Sequence, residues 1–180
     1  NFEKKILKYK NYICFNALHG PFGEDGQVQK ILKKNKIKFI NSNLKSSKNS
    51  FNKILTKKII SKKNILTPKN QILLKKDLKY EKILETKKIF KKFVIKPVSS
   101  GSSHCTKIIK NNRDLKQFIN NLEEFKKRAS SHKEFLIEEF ISGKELTVST
   151  INFANRIEAL AVTEIKTQNN FFDYQAKYSK

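Results

Sequence analysis

Phe93-Val94-Ile95-Lys96-Pro97-Val98-Ser99-Ser100-Gly101-Ser102-Ser103-His104 is an apolar run that ends in Lys-Pro and opens into four serines around a glycine. Apolar residues resume at Ile108-Ile109. The first run reads as a strand, the serine-glycine segment as a tight loop, and 106–109 as a returning strand. Such a loop brings several backbone N–H groups and hydroxyls to one place, with Lys96 at its base. Aligned N–H dipoles and a fixed ammonium suit a phosphate. On this stretch alone, a plain hairpin with a hydrophilic turn is the alternative.

The segments on either side set the context. Residues 12–17 form a short apolar run suited to a buried parallel strand. The run ends at Leu18-His19-Gly20-Pro21-Phe22-Gly23-Glu24-Asp25-Gly26, an unusual loop carrying one imidazole and two carboxylates. Val28, Ile31 and Leu32 then follow helical spacing, and 37–40 is another strand. Strand, loop, helix, strand makes a βαβ unit with its loop at the carboxyl end of the strand, where open sheets place ligands. Residues 41–50 are polar and serine-rich, a domain boundary. Phe51, Ile54, Leu55 and Ile59 share a helix face, with Ser50 as N-cap and Lys53 and Lys57 one turn apart.

Farther on, 71–74 reads as a strand and 80–90 as a helix. Asn112 is expected to cap one helix carrying Leu115, Phe118, Ile119, Leu122 and Phe125. Residues 135–141 form a strand interrupted by two carboxylates, and 145–151 and 157–165 are antiparallel strands joined near Asn155. The middle of the chain is therefore α+β, with helices on one side of a small sheet.

Composition narrows the function classes. The 180 residues carry a formal charge of +23, which invites a nucleic-acid reading. Only three residues are arginine (Arg113, Arg128, Arg156), whereas groove readers lean on the bidentate guanidinium fork. The lysines are spread along the chain among Asn, Ile and Phe, so the charge reads as a solvated surface and no nucleic-acid partner is expected. Cys14 and Cys105 are too few and too far apart for a disulfide framework and read as small buried residues in a reducing, cytoplasmic compartment. No run reaches the roughly 18 apolar residues of a membrane span, so no membrane partner is expected.

Five segments, in order, resemble the D-alanine–D-alanine ligases of bacteria. Asn16 through Gln29 resembles the family's A-L-H-G-x-x-G-E-D-G segment, and Ser50-Phe51-Asn52-Lys53 with Thr56-Lys57 its A-M-D-K-x-x-x-K helix. Val94-Ile95-Lys96-Pro97 with Gly101-Ser102-Ser103 resembles V-K-P-x-x-x-G-S-S. Leu136 through Val148 resembles the hinge into the last domain, and Phe172-Asp173-Tyr174-Gln175-Ala176-Lys177-Tyr178 resembles Y-D-Y-E-A-K-Y.

The resemblance implies an ATP-grasp fold of α/β and α+β parts: 1–43 from an N-terminal substrate-binding domain, 44–138 as the central subdomain, and 139–180 beginning the C-terminal one. It implies ATP-dependent joining of two D-alanines through an acyl phosphate, for peptidoglycan synthesis. By position, Lys53 and Lys96 would contact the ATP phosphates, with Ser102 and Ser103 in the covering loop. Glu138 and the backbone of Ile141 would take the adenine, and Glu145 the ribose. His19 would line the first D-alanine's site. Lys177 and Tyr178 would belong to a closing loop in which Ser102 reaches toward Tyr178. Tyrosine at 178 favours alanine over D-lactate as the second substrate.

The resemblance also implies Mg2+, with its acidic ligands and a substrate-binding arginine expected downstream of Lys180, so the 180 residues read as an inactive fragment of a longer protein. The family is commonly dimeric, which makes a homodimer one option. Ser99-Ser100, His104-Cys105-Thr106 and Asn52 depart from the family's pattern. The rival readings are another ATP-grasp carboxylate–amine ligase and a basic nucleic-acid-binding module.

Overall fold

A computed structural model describes residues 1–154 and 156–166. The chain opens with a short helix α1 (Phe2–Ile6), followed by strand β1 (Cys14–Phe15), helix α2 (Gln27–Lys34) and strand β2 (Phe39–Ile40). β1 and β2 pair in parallel, Cys14 opposite Phe39, so the expected βαβ unit is present with strands of two residues each. Val28, Leu32 and Ile37 are buried, with Phe2, Ile6, Cys14, Phe22 and Phe39 packed against them. The helix-spaced apolar positions of α2 therefore cover one side of the strand pair.

Helices α3 (Leu44–Phe51) and α4 (Lys53–Ser61) follow. The cap of α4 is Asn52, not Ser50: Asn52 is extended, and its side-chain oxygen accepts from the backbone N–H of Ile54 and Leu55 at 3.0 Å each. Ser50 lies inside α3. Asparagine and serine cap about equally well, but it is the extended backbone at Asn52 that interrupts the helix, making two helices where apolar spacing alone suggests one.

The centre is a four-stranded antiparallel sheet ordered β3 (Asn70–Leu74), β6 (Glu134–Glu139), β4 (Phe93–Pro97), β5 (Lys107–Ile109). β4 and β5 form the hairpin expected around the serine-glycine loop. Helices α5 (Tyr80–Phe90), α6 (Asn112–Asn120) and α7 (Leu122–Arg128) supply the core's other wall. Leu73, Phe93, Ile95, Ile109, Phe135 and Ile137 cluster with Ile83, Leu115, Phe118, Leu122 and Phe125.

One helix was expected across 112–125; there are two. Asn111, not Asn112, is the N-cap, in a capping box with Asp114, and the helix breaks at Asn121. The break lets Phe118 and Phe125 meet edge-on, their ring centroids 5.2 Å apart. Last, β7 (Glu145–Phe153) and β8 (Arg156–Ile165) form the expected antiparallel hairpin, with a bulge at Ser149/Thr150. Cys14 and Cys105 are both free and half-buried. Among the described residues, no helix is long and apolar enough to cross a membrane.

Strand alternation positions the site. Because Ile95 and Ile137 face the helices, Lys96 and Glu138 point to the opposite face of the sheet.

Candidate functional site

On that opposite face the register sets Lys96 across from Leu136 and Val94 across from Glu138, so Lys96 and Glu138 are diagonal neighbours. Lys96 forms an ion pair with Glu138 Oε2, and Lys57, arriving from α4, donates to Glu138 Oε1 at 2.6 Å and to the Pro68 carbonyl at 2.8 Å. The Glu138 side chain is only 8% exposed. Burial alone would raise its carboxyl, but the hydrogen bonds from Lys57 and Lys96 outweigh that and hold it below the ordinary carboxylate value.

Lys53 completes the cluster. Its backbone N–H donates to the Val98 carbonyl at 3.0 Å, next to a bridge between Asn52 and Ser99, which fixes the start of α4 against the end of β4. Its ammonium donates to the Ser100 carbonyl at 2.9 Å. Burial, then repulsion from Lys96, pushes Lys53 down to about 8, with Glu138 opposing. Two ammoniums thus hold one carboxylate and a third, Lys53, is held by the Ser100 carbonyl, leaving an excess of positive charge beside the serine-glycine loop. That arrangement attracts a polyanion.

The loop itself is tightly wound. Ser102, Ser103 and Cys105 all have positive φ (51°, 55° and 52°), and the His104 and Thr106 N–H groups donate back to the Gly101 and Ser103 carbonyls. Left-handed backbone at non-glycine residues is costly and clusters at functional sites. Cys105 packs against the core, and burial raises its thiol. His104 lies beside Cys105, with Nε2 3.7 Å from Sγ, and its ring meets that of His132 at 5.7 Å. The sequence's departures at 104–106 therefore form the loop's anchored side.

The 18–26 loop owes its shape to Asp25 and the glycines. Asp25 accepts from the Phe22 and Gln27 N–H groups at 3.0 Å each; burial would raise its carboxyl, and these bonds lower it overall. Gly26 has φ 92°, which starts α2 from a left-handed turn. His19 is exposed, its Nδ1 4.0 Å from Glu24 Oε1. A methyl group on Gly101 would lie 2.8 Å from Glu24 Oε2, so the two loops are in contact.

The structure thus brings together Lys53, Lys96, Glu138 and the Ser102–Ser103 loop, with the His19 loop alongside. Ile141 is exposed two residues past β6, and Glu145 opens β7 opposite Ile165. Lys177 and Tyr178 lie outside the described residues. Sequence reasoning did not assign roles to Lys57 or Glu24. The signal for Lys57 was its place one turn beyond Lys53 on α4; for Glu24 there was none, because its contact is between loops distant in sequence. Among the described residues, no three His, Cys, Asp or Glu side chains are placed to hold a metal ion.

A family model described as D-ala D-ala ligase C-terminus matches residues 59–180. The chain belongs to the D-alanine–D-alanine ligase family. It is 39% identical over 180 residues to the D-alanine–D-alanine ligase of Pelagibacter ubique (strain HTCC1062), covering 99% of this chain and 55% of that protein. To the corresponding ligase of Wolbachia pipientis wMel it is 33% identical over 179 residues, covering 99% and 52%. The chain spans about half the length of the curated relatives it matches. Among solved structures, the Bacillus anthracis ligase complexed with ATP is similar at TM-score 0.68 and 29% identity, covering 94% of this chain and 54% of that one. The Vibrio cholerae D-alanyl-alanine synthetase A reaches TM-score 0.72 at 23% identity, covering 93% and 49%, a likeness of fold. The fold of this family member is the ATP-grasp fold.

Proposed function

We propose that a chain of the relatives' length containing this segment joins two D-alanines into D-alanyl-D-alanine with cleavage of ATP to ADP and phosphate, for cytoplasmic peptidoglycan precursor synthesis. A carboxylate is a poor electrophile until it carries a good leaving group. One oxygen of the first D-alanine's carboxylate attacks the γ-phosphorus of ATP and ADP departs, leaving an acyl phosphate. The amine of the second D-alanine then adds to the acyl carbon, loses a proton, and the tetrahedral intermediate expels phosphate.

The residues suit these demands. Phosphoryl transfer requires positioning and charge neutralisation more than a covalent nucleophile. Lys53 and Lys96 supply cations for the phosphates, and the loop bearing Ser102 and Ser103 covers them and keeps water from the acyl phosphate. Glu138 accepts the adenine's exocyclic amine beside the backbone of Ile141: a carboxylate offers about four lone-pair sites, and Lys57 and Lys96 occupy only part of them. Glu145 accepts the ribose hydroxyls, and His19 lines the first D-alanine's site. Lys177 and Tyr178 close over the substrates, and Tyr178 favours D-alanine over D-lactate as the second substrate.

The observation that carries this reading is the pairing of Lys57 and Lys96 with buried Glu138, and of Lys53 with the Ser100 carbonyl of a loop that touches the His19 loop. The test is ATP-dependent phosphate release and dipeptide formation by a full-length protein with D-alanine, L-alanine or D-lactate. Release with D-alanine and not with L-alanine is expected. A folded full-length protein that releases no phosphate with D-alanine would contradict the reading.

A further inference from the structure

The contact between the two loops runs through one side chain. Glu24 Oε2 accepts from the Gly20 N–H at 2.8 Å, and the Glu24 N–H donates to the Gly20 carbonyl at 2.9 Å, so the carboxylate is folded back onto its own loop. Its other oxygen, Oε1, is the atom 4.0 Å from His19 Nδ1. Oε2 also faces Gly101: a Cβ there would meet it at 2.8 Å, whereas the next neighbour, Gly20 Cα, would be at 3.8 Å, an ordinary contact. Glycine at 101 leaves room for the end of the Glu24 side chain, and the backbone there has no positive φ that would call for glycine. Gly101 adjoins Ser100, whose carbonyl Lys53 holds at 2.9 Å. Glu24, Gly101, Ser100 and Lys53 thus form a continuous chain of contacts from the His19 loop to the cationic cluster.

We propose that Glu24 is a positioning residue, a clasp that fixes the spacing between the loop bearing His19 and the loop over the phosphates. Its role in turnover rests on the ligase reading above; the clasp itself does not. In that reading, the spacing decides whether the carboxylate of the first D-alanine reaches the γ-phosphorus in line, and reaction rates fall steeply with small misplacements of reacting groups. Glutamate suits the task because the Gly20 N–H pins its carboxylate to its own loop while Oε2 packs against Gly101 of the other. Glutamine keeps an accepting oxygen for the Gly20 N–H; alanine keeps nothing.

The test uses full-length protein in five forms: wild type, Glu24→Ala, Glu24→Gln, Gly101→Ala, and Glu24→Ala with Gly101→Ala. Losing a hydrogen bond accepted by a charged group corresponds to about a tenfold loss in kcat/KM for D-alanine in Glu24→Ala, with ATP affinity held within about twofold if the cationic cluster is undisturbed. Glu24→Gln should recover most of that loss. Gly101→Ala should lose up to about tenfold by pushing the Glu24 carboxylate off the Gly20 N–H, and the loss should shrink on the Glu24→Ala background, where the methyl group has room. Losses that simply multiply, or equal weakening of ATP and D-alanine in Glu24→Ala, would overturn the clasp.

Melting temperatures of the same proteins give a readout independent of turnover. The drop caused by Gly101→Ala should be smaller when Glu24 is already alanine, and additive drops would overturn the proposal. A wild-type protein without D-alanine turnover would count against the ligase reading, while non-additive melting temperatures would still support the clasp.

Discussion

Lys57 Nζ donates to Glu138 Oε1 at 2.6 Å, with both side chains mostly buried. The contact ties α4 to the middle of the central sheet, and with Lys96 on the other carboxylate oxygen it fixes Glu138 from both sides. Glu138 is therefore oriented before any ligand arrives.

Removing one partner leaves part of a buried charge uncompensated. Lys57→Met should destabilise the protein by roughly 3 kcal/mol, near the low end for broken buried pairs because Lys96 remains. Lys57→Met combined with Glu138→Gln should be milder than the sum of the single changes. Thermal denaturation of the four proteins reads both effects. Additive losses would mean that the pair is not coupled.

If Lys53 meets the nucleotide's phosphates as proposed, binding should take up protons. Its ammonium is pushed down to about 8 by burial and by Lys96, so the folded protein disfavours the charged form. That penalty applies in full below about 8 and is relieved as pH rises from there toward the ordinary value of 10.5, so this group's contribution to stability improves with pH over that window. A triphosphate bound beside it should reverse the local preference and raise the Lys53 value. Calorimetry at pH 8 in buffers of different ionisation enthalpy should show uptake of up to about half a proton per nucleotide. Uptake should fade toward pH 6.5, where Lys53 is already charged, and should be lost in Lys53→Met. Proton release at pH 8 would contradict the assignment.

Asn52 holds the start of α4 and so seats Lys53. Asn52→Ala should cost about 1 kcal/mol as a lost cap and weaken nucleotide binding as well. Asn52→Asp, an equally good cap and the residue usual in the family, should be close to neutral in stability. Differential scanning calorimetry with nucleotide titration separates the two outcomes.

Much of this was readable from residue patterns. The βαβ unit followed from the period of Val28, Ile31 and Leu32 between two short apolar runs, and the central strands from their alternation. Lys96 and Glu138 share the face away from the core because Ile95 and Ile137 occupy the other, a consequence of period-two geometry. Helix boundaries were harder to read, since Asn52 and Asn121 compete with continuous apolar spacing and capping decides locally. The order β3-β6-β4-β5 also had no local signal. Strand 6 inserts between strands 3 and 4 only because the pairing joins residues far apart in the chain. Glu24 against Gly101 and Lys57 on Glu138 are contacts of the same kind.

The central claim is that this cationic cluster and its two loops serve the transfer of a phosphoryl group onto the carboxylate of D-alanine. The most direct test supplies D-alanine with both carboxylate oxygens replaced by oxygen-18 to the full-length protein with unlabelled ATP, and weighs the released phosphate by mass spectrometry. An acyl phosphate hands one carboxylate oxygen to the phosphorus, so each phosphate released with dipeptide formation should carry a single heavy oxygen. Dipeptide formed with unlabelled phosphate would contradict the account.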